Sequence, residues 1–122
     1  MEQSLTKAKV DRVNDAAGNP VTILRFTGDI SSTSRDAVVG TYQNLPKDAN
    51  PKLLLDFTKV EYLNSSGIAL VIQVLMEAAK SSQKVHAFGL TPHFQKVFKM
   101  VGITKYATLH ADEAAAKAAS AE

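Results

Sequence analysis

Residues 53–57 read Leu-Leu-Leu-Asp-Phe, and residues 64–68 read Asn-Ser-Ser-Gly-Ile. The first stretch is part of a nearly continuous apolar run that starts at Pro51, and such a run is typical of a strand buried on both faces of a sheet. The second opens a segment whose apolar residues recur every three or four positions, which predicts a helix over about 66–81. The inward-facing stripe of this helix is expected to be Ile68, Val71, Ile72, Leu75, Met76 and Ala79.

The same criteria predict the elements on either side of this strand and helix. An edge strand is expected at residues 7–13, a turn-rich hairpin at 14–20 and a β-branched strand at 21–27. The other predicted elements are a helix from the hydroxyl cluster at 31–34 to about residue 44, a strand at 84–89, a helix from Thr91-Pro92 to Gly102, a strand at 105–110, and an alanine-rich helix or tail at 111–122.

The resulting order, β-β-α-β-α-β-α-β-α, predicts an α/β fold with a mixed central sheet of about five strands and four helices packed on it. No linker divides the 122 residues, so a single domain is expected over 1–122, with its core at about 7–110.

Composition limits the classes of function. A net charge of +2, with signs alternating along the chain, does not predict binding to nucleic acid. The absence of cysteine excludes disulfides, thiolate catalysis and cysteine-based zinc sites. The longest apolar segment, residues 68–76, is far shorter than the roughly twenty residues that span a bilayer, and residues 1–7 do not resemble a secretion signal. We therefore expect a cytoplasmic protein without direct membrane insertion and without a cofactor.

The residues with the clearest chemical potential are Ser65, Ser66 and Gly67, at the start of the predicted helix. Backbone N–H groups and the positive end of the helix dipole meet there, so an anion on Ser66 would lie close to them. Gly67 has no side chain and is expected to let another chain approach the Ser66 hydroxyl. A simpler interpretation is helix capping, because Ser and Asn are both favoured N-cap residues. The spacing leaves both interpretations open.

Four segments in the same order resemble the STAS domain, and most closely the free-standing bacterial anti-sigma-factor antagonists. The family pattern is an apolar strand ending in Asp, a loop, and Asp-Ser-Ser/Thr-Gly before an apolar helix; residues 53–56 and 64–68 match it. The other segments are Thr-Gly-Asp-Ile at 27–30, Val-His-Ala-Phe-Gly-Leu at 85–90, and Phe-Gln-Lys-Val-Phe-Lys-Met-Val-Gly-Ile at 94–103. Together they cover about residues 7–110.

The resemblance implies a phosphorylation-switched, non-enzymatic binding domain that regulates transcription. Ser66 is then the phosphoacceptor, surrounded by Asn64, Ser65, Gly67 and Asp56. The unmodified domain is expected to bind an anti-sigma factor that is itself a GHKL-type serine kinase, and a serine phosphatase is expected to remove the phosphate. The implied partner-binding residues are Gly28, Asp29, Ile30, Ser31, Ile68 and Leu70.

Asn64 departs from the family pattern, which usually has Asp at this position. Asn keeps the shape and one acceptor oxygen but carries no charge. If that carboxylate helps to orient the serine, phosphorylation of this chain is slow or absent. An alternative function is therefore a STAS accessory subunit of a transport or signalling complex, for example in lipid or anion transport, which binds constitutively and has no phosphoswitch.

The remaining candidates receive structural interpretations. His86, His93 and His110 have no metal-ligand spacing, so no metal site is predicted. Asp29 and Asp56 each end a strand and are expected to lie close together, with a role in strand-end hydrogen bonding rather than in acid–base catalysis.

Three apolar residues of the predicted Ser66 helix, namely Ala69, Leu70 and Val74, lie off its main stripe. Either a second helix layer covers them, or they form an apolar patch suited to a partner. An esterase would need a Gly-x-Ser-x-Gly elbow, and residues 64–68 lack its first glycine. No enzymatic activity is therefore expected.

Overall fold

The computed structural model describes residues 5–15, 17–45 and 52–121. Its strands are β1 (Lys7–Asn14), β2 (Pro20–Thr27), β3 (Lys52–Lys59), β4 (Lys84–Phe88) and β5 (Ala107–His110). Its helices are α1 (residues 32–43), α2 (Ser65–Lys80), α3 (Pro92–Met100) and α4 (Glu113–Ser120). The predicted element order is confirmed, and the alanine-rich segment is a helix. The predicted strand start at Pro51 and the last residue, Glu122, lie outside the described residues.

The five strands form one mixed sheet in the order β1-β2-β3-β4-β5. β1 and β2 are an antiparallel hairpin in which Lys7 lies opposite Thr27. β2, β3, β4 and β5 run parallel, so each of these strands needs a crossover connection, which α1, α2 and α3 supply in turn. β1 is therefore an edge strand and β3 the central strand, as predicted.

Alternation along the strands divides the core between the two faces of the sheet. On β2, Leu24 and Phe26 point into the larger cluster, which includes buried residues of α1, α2 and α3. Val21 and Ile23 point to the opposite face, where a smaller cluster is covered by α4. The smaller cluster consists of Val21, Ile23, Leu54, Phe88 and Ala116.

The hydroxyl cluster at 31–34 starts α1. Ser31 is the N-cap: its backbone N–H donates to Ser34 Oγ at 2.8 Å, and Ser31 Oγ accepts from the Thr33 N–H at 3.5 Å. This reciprocal pair is a capping box, which satisfies backbone groups that have no partner inside the helix. The segment then changes from a 3-10 turn through a π-helical stretch to an α-helical turn.

α2 begins one residue earlier than predicted and buries a different arc. Leu70 and Val74, which fall off the predicted stripe, are buried, whereas Met76 and Ala79 are exposed. The cause is α1, which packs beside α2 and bonds to it where Arg35 Nη1 donates to Gln73 Oε1 at 2.9 Å. A helix packed on both a sheet and a neighbouring helix buries a wider arc than one stripe. Of the three residues that lie off the predicted stripe, Leu70 and Val74 are therefore covered within the domain, whereas Ala69 is exposed.

Arg25 joins α4 to the sheet through three carboxylates. Its Nη1 donates to Asp56 Oδ2 at 2.9 Å and to Glu113 Oε1 at 2.8 Å. Its Nε donates to Asp11 Oδ2 at 2.5 Å. Lys117 Nζ lies 2.9 Å from Glu113 Oε2, four residues along the helix. These cations lower the pKa of Glu113, with the Arg25 hydrogen bond as the main cause, and the same guanidinium lowers the pKa of Asp11.

Replacing Glu113 with Gln tests this network. A carboxyl group whose pKa is lowered by folding stabilises the folded state above its ordinary value of 4.5, and that stabilisation is lost as the pH falls through the lowered value. We expect Glu113→Gln to lower the free energy of unfolding by about 0.5–1 kcal/mol at pH 7, as for a partly exposed ion pair. The variant should also lose less stability than the wild type on acidification below that ordinary value.

Urea unfolding as a function of pH measures both effects. The matched control is Glu61→Gln, because Glu61 is exposed and should change neither quantity. The prediction would be contradicted if the free energy of unfolding of the Glu113 variant fell as steeply on acidification as that of the wild type.

Candidate functional site

The start of α2 is capped by Asn64. Its backbone is extended, its Oδ1 accepts from the Gly67 N–H at 2.8 Å, and its carbonyl oxygen accepts from the Ile68 N–H at 2.9 Å. Ser65 and Ser66 are the first two residues of the helix, and both are exposed. The capping role therefore falls to Asn64, and the Ser66 side chain stands at the helix tip within reach of another protein.

The segment 28–31 lies beside this helix tip. Ile30 forms a parallel bridge with Leu63, and its N–H donates to the Tyr62 carbonyl at 3.0 Å. The Asn64 N–H in turn donates to the Ile30 carbonyl at 3.2 Å. These bonds place the backbone of 28–31 directly against the residues that lead into Ser66.

The close approach of the Ile30 backbone explains why residue 67 is a glycine. A Cβ at position 67 would lie 2.2 Å from the Ile30 carbonyl oxygen and 2.6 Å from its carbonyl carbon. The expectation that Gly67 admits another chain is therefore wrong, because Ile30 of the same chain fills the space. The sequence shows a glycine at position 67 but not that the Ile30 backbone packs against it.

The predicted partner-binding residues divide into two groups. Gly28, Asp29 and Ser31 are partly exposed. In contrast, the side chains of Ile30, Ile68 and Leu70 are only 0%, 9% and 9% exposed. They form part of the core cluster, so the expectation that these three side chains face a partner is wrong.

The exposed apolar residues of α2 lie elsewhere on the helix. Ala69 and Met76 are exposed and Ile72 is half-buried, and these three line a shallow groove with polar neighbours from the same helix. The apolar periodicity predicted Ile72 and Met76 on the inward stripe because it contains no information on the contact with α1. The apolar surface nearest to Ser66 along this helix is therefore Ala69 followed by Ile72.

Asp56 lies in the last half of β3, before the loop that leads to α2. Its carboxylate is nearly buried and accepts from Arg25 through Oδ2, and from the Thr58 N–H through Oδ1 at 2.8 Å. The expected hydrogen-bonding role of Asp56 is confirmed, but the residue does not end its strand, because β3 continues to Lys59. The partner of Asp56 is Arg25, its register neighbour on β2. The backbone carbonyl of Asp29 instead accepts from Thr6 Oγ1 at 2.5 Å.

Two of the histidines are paired. His86 Nδ1 and His110 Nε2 lie 3.0 Å apart across β4 and β5, whereas His93 is exposed at the start of α3. The spacing of the histidines along the sequence did not predict this contact. Their separation along the chain hides it, because only the strand register brings them together.

The described part of the chain contains no group of three or more His, Asp or Glu side chains placed to hold a metal ion. Within residues 5–15, 17–45 and 52–121, no helix has the length and apolar character needed to cross a membrane.

A family model described as "Mlab, STAS domain" matches residues 14–110, most of the sequence. The chain belongs to the STAS domain family. No curated protein matches this STAS chain significantly in sequence. Among solved structures it is similar to an anti-sigma factor antagonist from Mycobacterium paratuberculosis, with a TM-score of 0.79 and 18% identity over 96% of this chain and 95% of that one.

Two structures of SpoIIAA are also similar to the STAS chain. The anti-sigma factor antagonist SpoIIAA in its unphosphorylated form has a TM-score of 0.64 and 14% identity, covering 87% of this chain and 89% of that one. The Bacillus cell fate determinant SpoIIAA in the phosphorylated form has a TM-score of 0.59 and 17% identity, covering 88% and 95%. At these identities the likeness establishes a shared fold.

Replacing Gly67 with Ala should destabilise the protein by about 1–3 kcal/mol, because the new methyl group overlaps the Ile30 backbone. The matched control is Gly40→Ala in α1. A Cβ at Gly40 meets no atom closer than 4.0 Å and the backbone is already right-handed helical, so Ala should stabilise by about 0.5–1 kcal/mol. Urea unfolding of both variants measures the two changes. Equal stability of the Gly67 variant and the wild type would show that the contact is looser than described.

Proposed function

We propose that this STAS domain is an anti-sigma-factor antagonist whose partner binding is switched by phosphorylation of Ser66. The observation that carries the proposal is the exposed Ser66 side chain at the tip of α2, which Asn64 caps without its help. The fold is shared with anti-sigma factor antagonists, one of which has been solved in a phosphorylated form. In the unphosphorylated state the domain binds its cognate anti-sigma factor, a serine kinase of the GHKL type.

The proposed docking surface surrounds the Ser66 hydroxyl. Residues 28, 29 and 31 contribute from one side, because the Ile30 hydrogen bonds hold this segment against the helix entry. Ala69 and Ile72 contribute an apolar strip further along α2. Polar groups around a small apolar strip are typical of an interface that forms and dissociates. Ile30, Ile68 and Leu70 support this surface from within the core.

Phosphorylation would add about −1.5 to −2 charges at neutral pH. The backbone N–H groups at the start of α2 can stabilise this charge, so the fold needs no rearrangement. A partner that covers Ser66 would instead have to desolvate a dianion. Leaving such a charge buried and unpaired at an interface costs on the order of 2–5 kcal/mol, which is roughly thirty- to several-thousand-fold in affinity. A switch of this size works without a conformational change.

The domain acts in this proposal by binding and not by catalysis. Asp56, the nearly buried carboxylate closest to the site in sequence, is already engaged by Arg25 and by the Thr58 N–H, which leaves it no role as a general base. The phosphoryl group comes from the kinase and ATP, and a serine phosphatase removes it. The proposed setting is the bacterial cytoplasm, where the switch regulates transcription.

Asn64 favours a second candidate function. The family usually has Asp at this position, and Asn64 here serves as a neutral cap. A STAS domain without a phosphoswitch would be a constitutive accessory subunit of a transport or signalling complex. Affinity capture from the source organism separates the two functions, because the antagonist recovers a GHKL-type kinase and the accessory subunit recovers a transporter ATPase.

Binding of the kinase to Ser66 variants tests the switch. Ser66→Ala should bind with wild-type affinity, and Ser66→Asp should bind at least about thirty-fold more weakly, since it places a fixed charge at the interface. The matched control is the exposed neighbour Ser65, where Ser65→Ala and Ser65→Asp should both have smaller effects. Isothermal titration calorimetry gives the dissociation constants. Equal binding by the two Ser66 variants would support the constitutive role instead.

Phosphopeptide mapping after incubation with the kinase and ATP tests the modification itself. We expect phosphate on Ser66 in the wild type and a higher initial rate for Asn64→Asp, which restores the family carboxylate and keeps an oxygen at the capping position. Asn64→Ser, another capping residue, is the uncharged control and should not raise the rate. Phosphate confined to other residues would end the proposal that Ser66 is the acceptor.

A further inference from the structure

The histidine pair lies on the face of the sheet opposite the larger core cluster. His86 is opposite Thr108 and His110 is opposite Phe88 in the parallel register of β4 and β5. All four residues therefore point to the face where Phe88 packs with Ala116 of α4. Both histidines are half-buried, and their ring centroids are 5.1 Å apart. The pair is thus held by the backbone register, with part of each ring open to solvent.

We propose that His86 and His110 form a two-nitrogen binding site for a first-row divalent cation, with Cu²⁺ and Ni²⁺ preferred. The carrying observation is the 3.0 Å distance between His86 Nδ1 and His110 Nε2. With metal–nitrogen bonds of about 2.0–2.1 Å, two nitrogens at adjacent corners of a square or an octahedron lie about 2.9 Å apart. At a tetrahedral angle the separation is about 3.3 Å with the same bonds.

The observed 3.0 Å, which is also an ordinary hydrogen-bond length, is close to the spacing for the 90° angle. Square-planar and tetragonal nitrogen sites are typical of Cu²⁺ and Ni²⁺, and Cu²⁺ has the highest affinity in the first-row series. Water would complete the coordination sphere. The chain has no cysteine, so no thiolate competes for these ions.

Binding replaces the hydrogen bond between the rings. In the neutral pair, one of the two facing nitrogens carries a proton and the other accepts it. A neutral imidazole can carry its proton on either nitrogen, so with His110 as the donor a shift of its proton to Nδ1 leaves both facing lone pairs for the cation. Two neutral rings then bind one cation with no net release of protons. The cation would tie the four-residue strand β5 to β4, just before the chain enters α4.

Calorimetric titration of Cu²⁺ and Ni²⁺ into the untagged full chain tests the proposal. The variants are His86→Gln and His110→Gln, and the matched control is His93→Gln, which leaves the pair intact. We expect one equivalent to bind to the wild type and to the control. Each single variant of the pair should bind on the order of 100-fold more weakly, because the second ligand no longer acts at high effective concentration.

Electron paramagnetic resonance of the Cu²⁺-loaded wild type gives a readout that does not depend on the variants folding. The expected spectrum shows two coordinating imidazole nitrogens. A spectrum with a single nitrogen ligand, undiminished binding by either variant of the pair, or a loss of binding by His93→Gln would overturn the proposal. The site is independent of the phosphoswitch, so none of these results bears on Ser66.

Discussion

The helix entry at residues 64–67 depends on one close approach between two backbones. The Ile30 carbonyl accepts from the Asn64 N–H and occupies the space where a side chain at position 67 would stand. Because Gly67 yields that space, α2 can begin directly against the strand extension that carries Ile30. The same approach fixes the segment 28–31 next to Ser66. The two parts of the proposed docking surface, residues 28–31 and the start of α2, are therefore positioned by a buried backbone contact. Their exposed side chains do not take part in that contact.

A second constraint connects this loop to the rest of the sheet. Near the end of β3, one carboxylate oxygen of Asp56 accepts a hydrogen bond from the Thr58 N–H and the other accepts from Arg25. Arg25 in turn binds Glu113 on α4. A guanidinium can satisfy several carboxylates at once because its donors form a rigid planar fork. The β1–β2 hairpin, the end of β3 that leads into the loop, and the last helix are thus joined through one guanidinium.

The parts of the fold that follow from local pattern were predictable from the sequence. The run at 53–57 predicts a central strand because both of its faces are covered, and Thr91-Pro92 predicts a helix start because its geometry is local. The buried arc of α2 was not predictable in the same way, since it includes Leu70 and depends on how α2 packs against the sheet and beside α1. Contacts set by strand register, such as Arg25 with Asp56 and His86 with His110, depend on pairings that no local window contains.

The packing of α4 on one face of the sheet has a practical consequence for handling the protein. Four apolar side chains of the sheet, namely Val21, Ile23, Leu54 and Phe88, meet a short helix that contributes a single buried apolar residue, Ala116. A chain shortened before Glu113 would expose this surface and favour association between copies. Affinity handles therefore belong at the amino end of the chain.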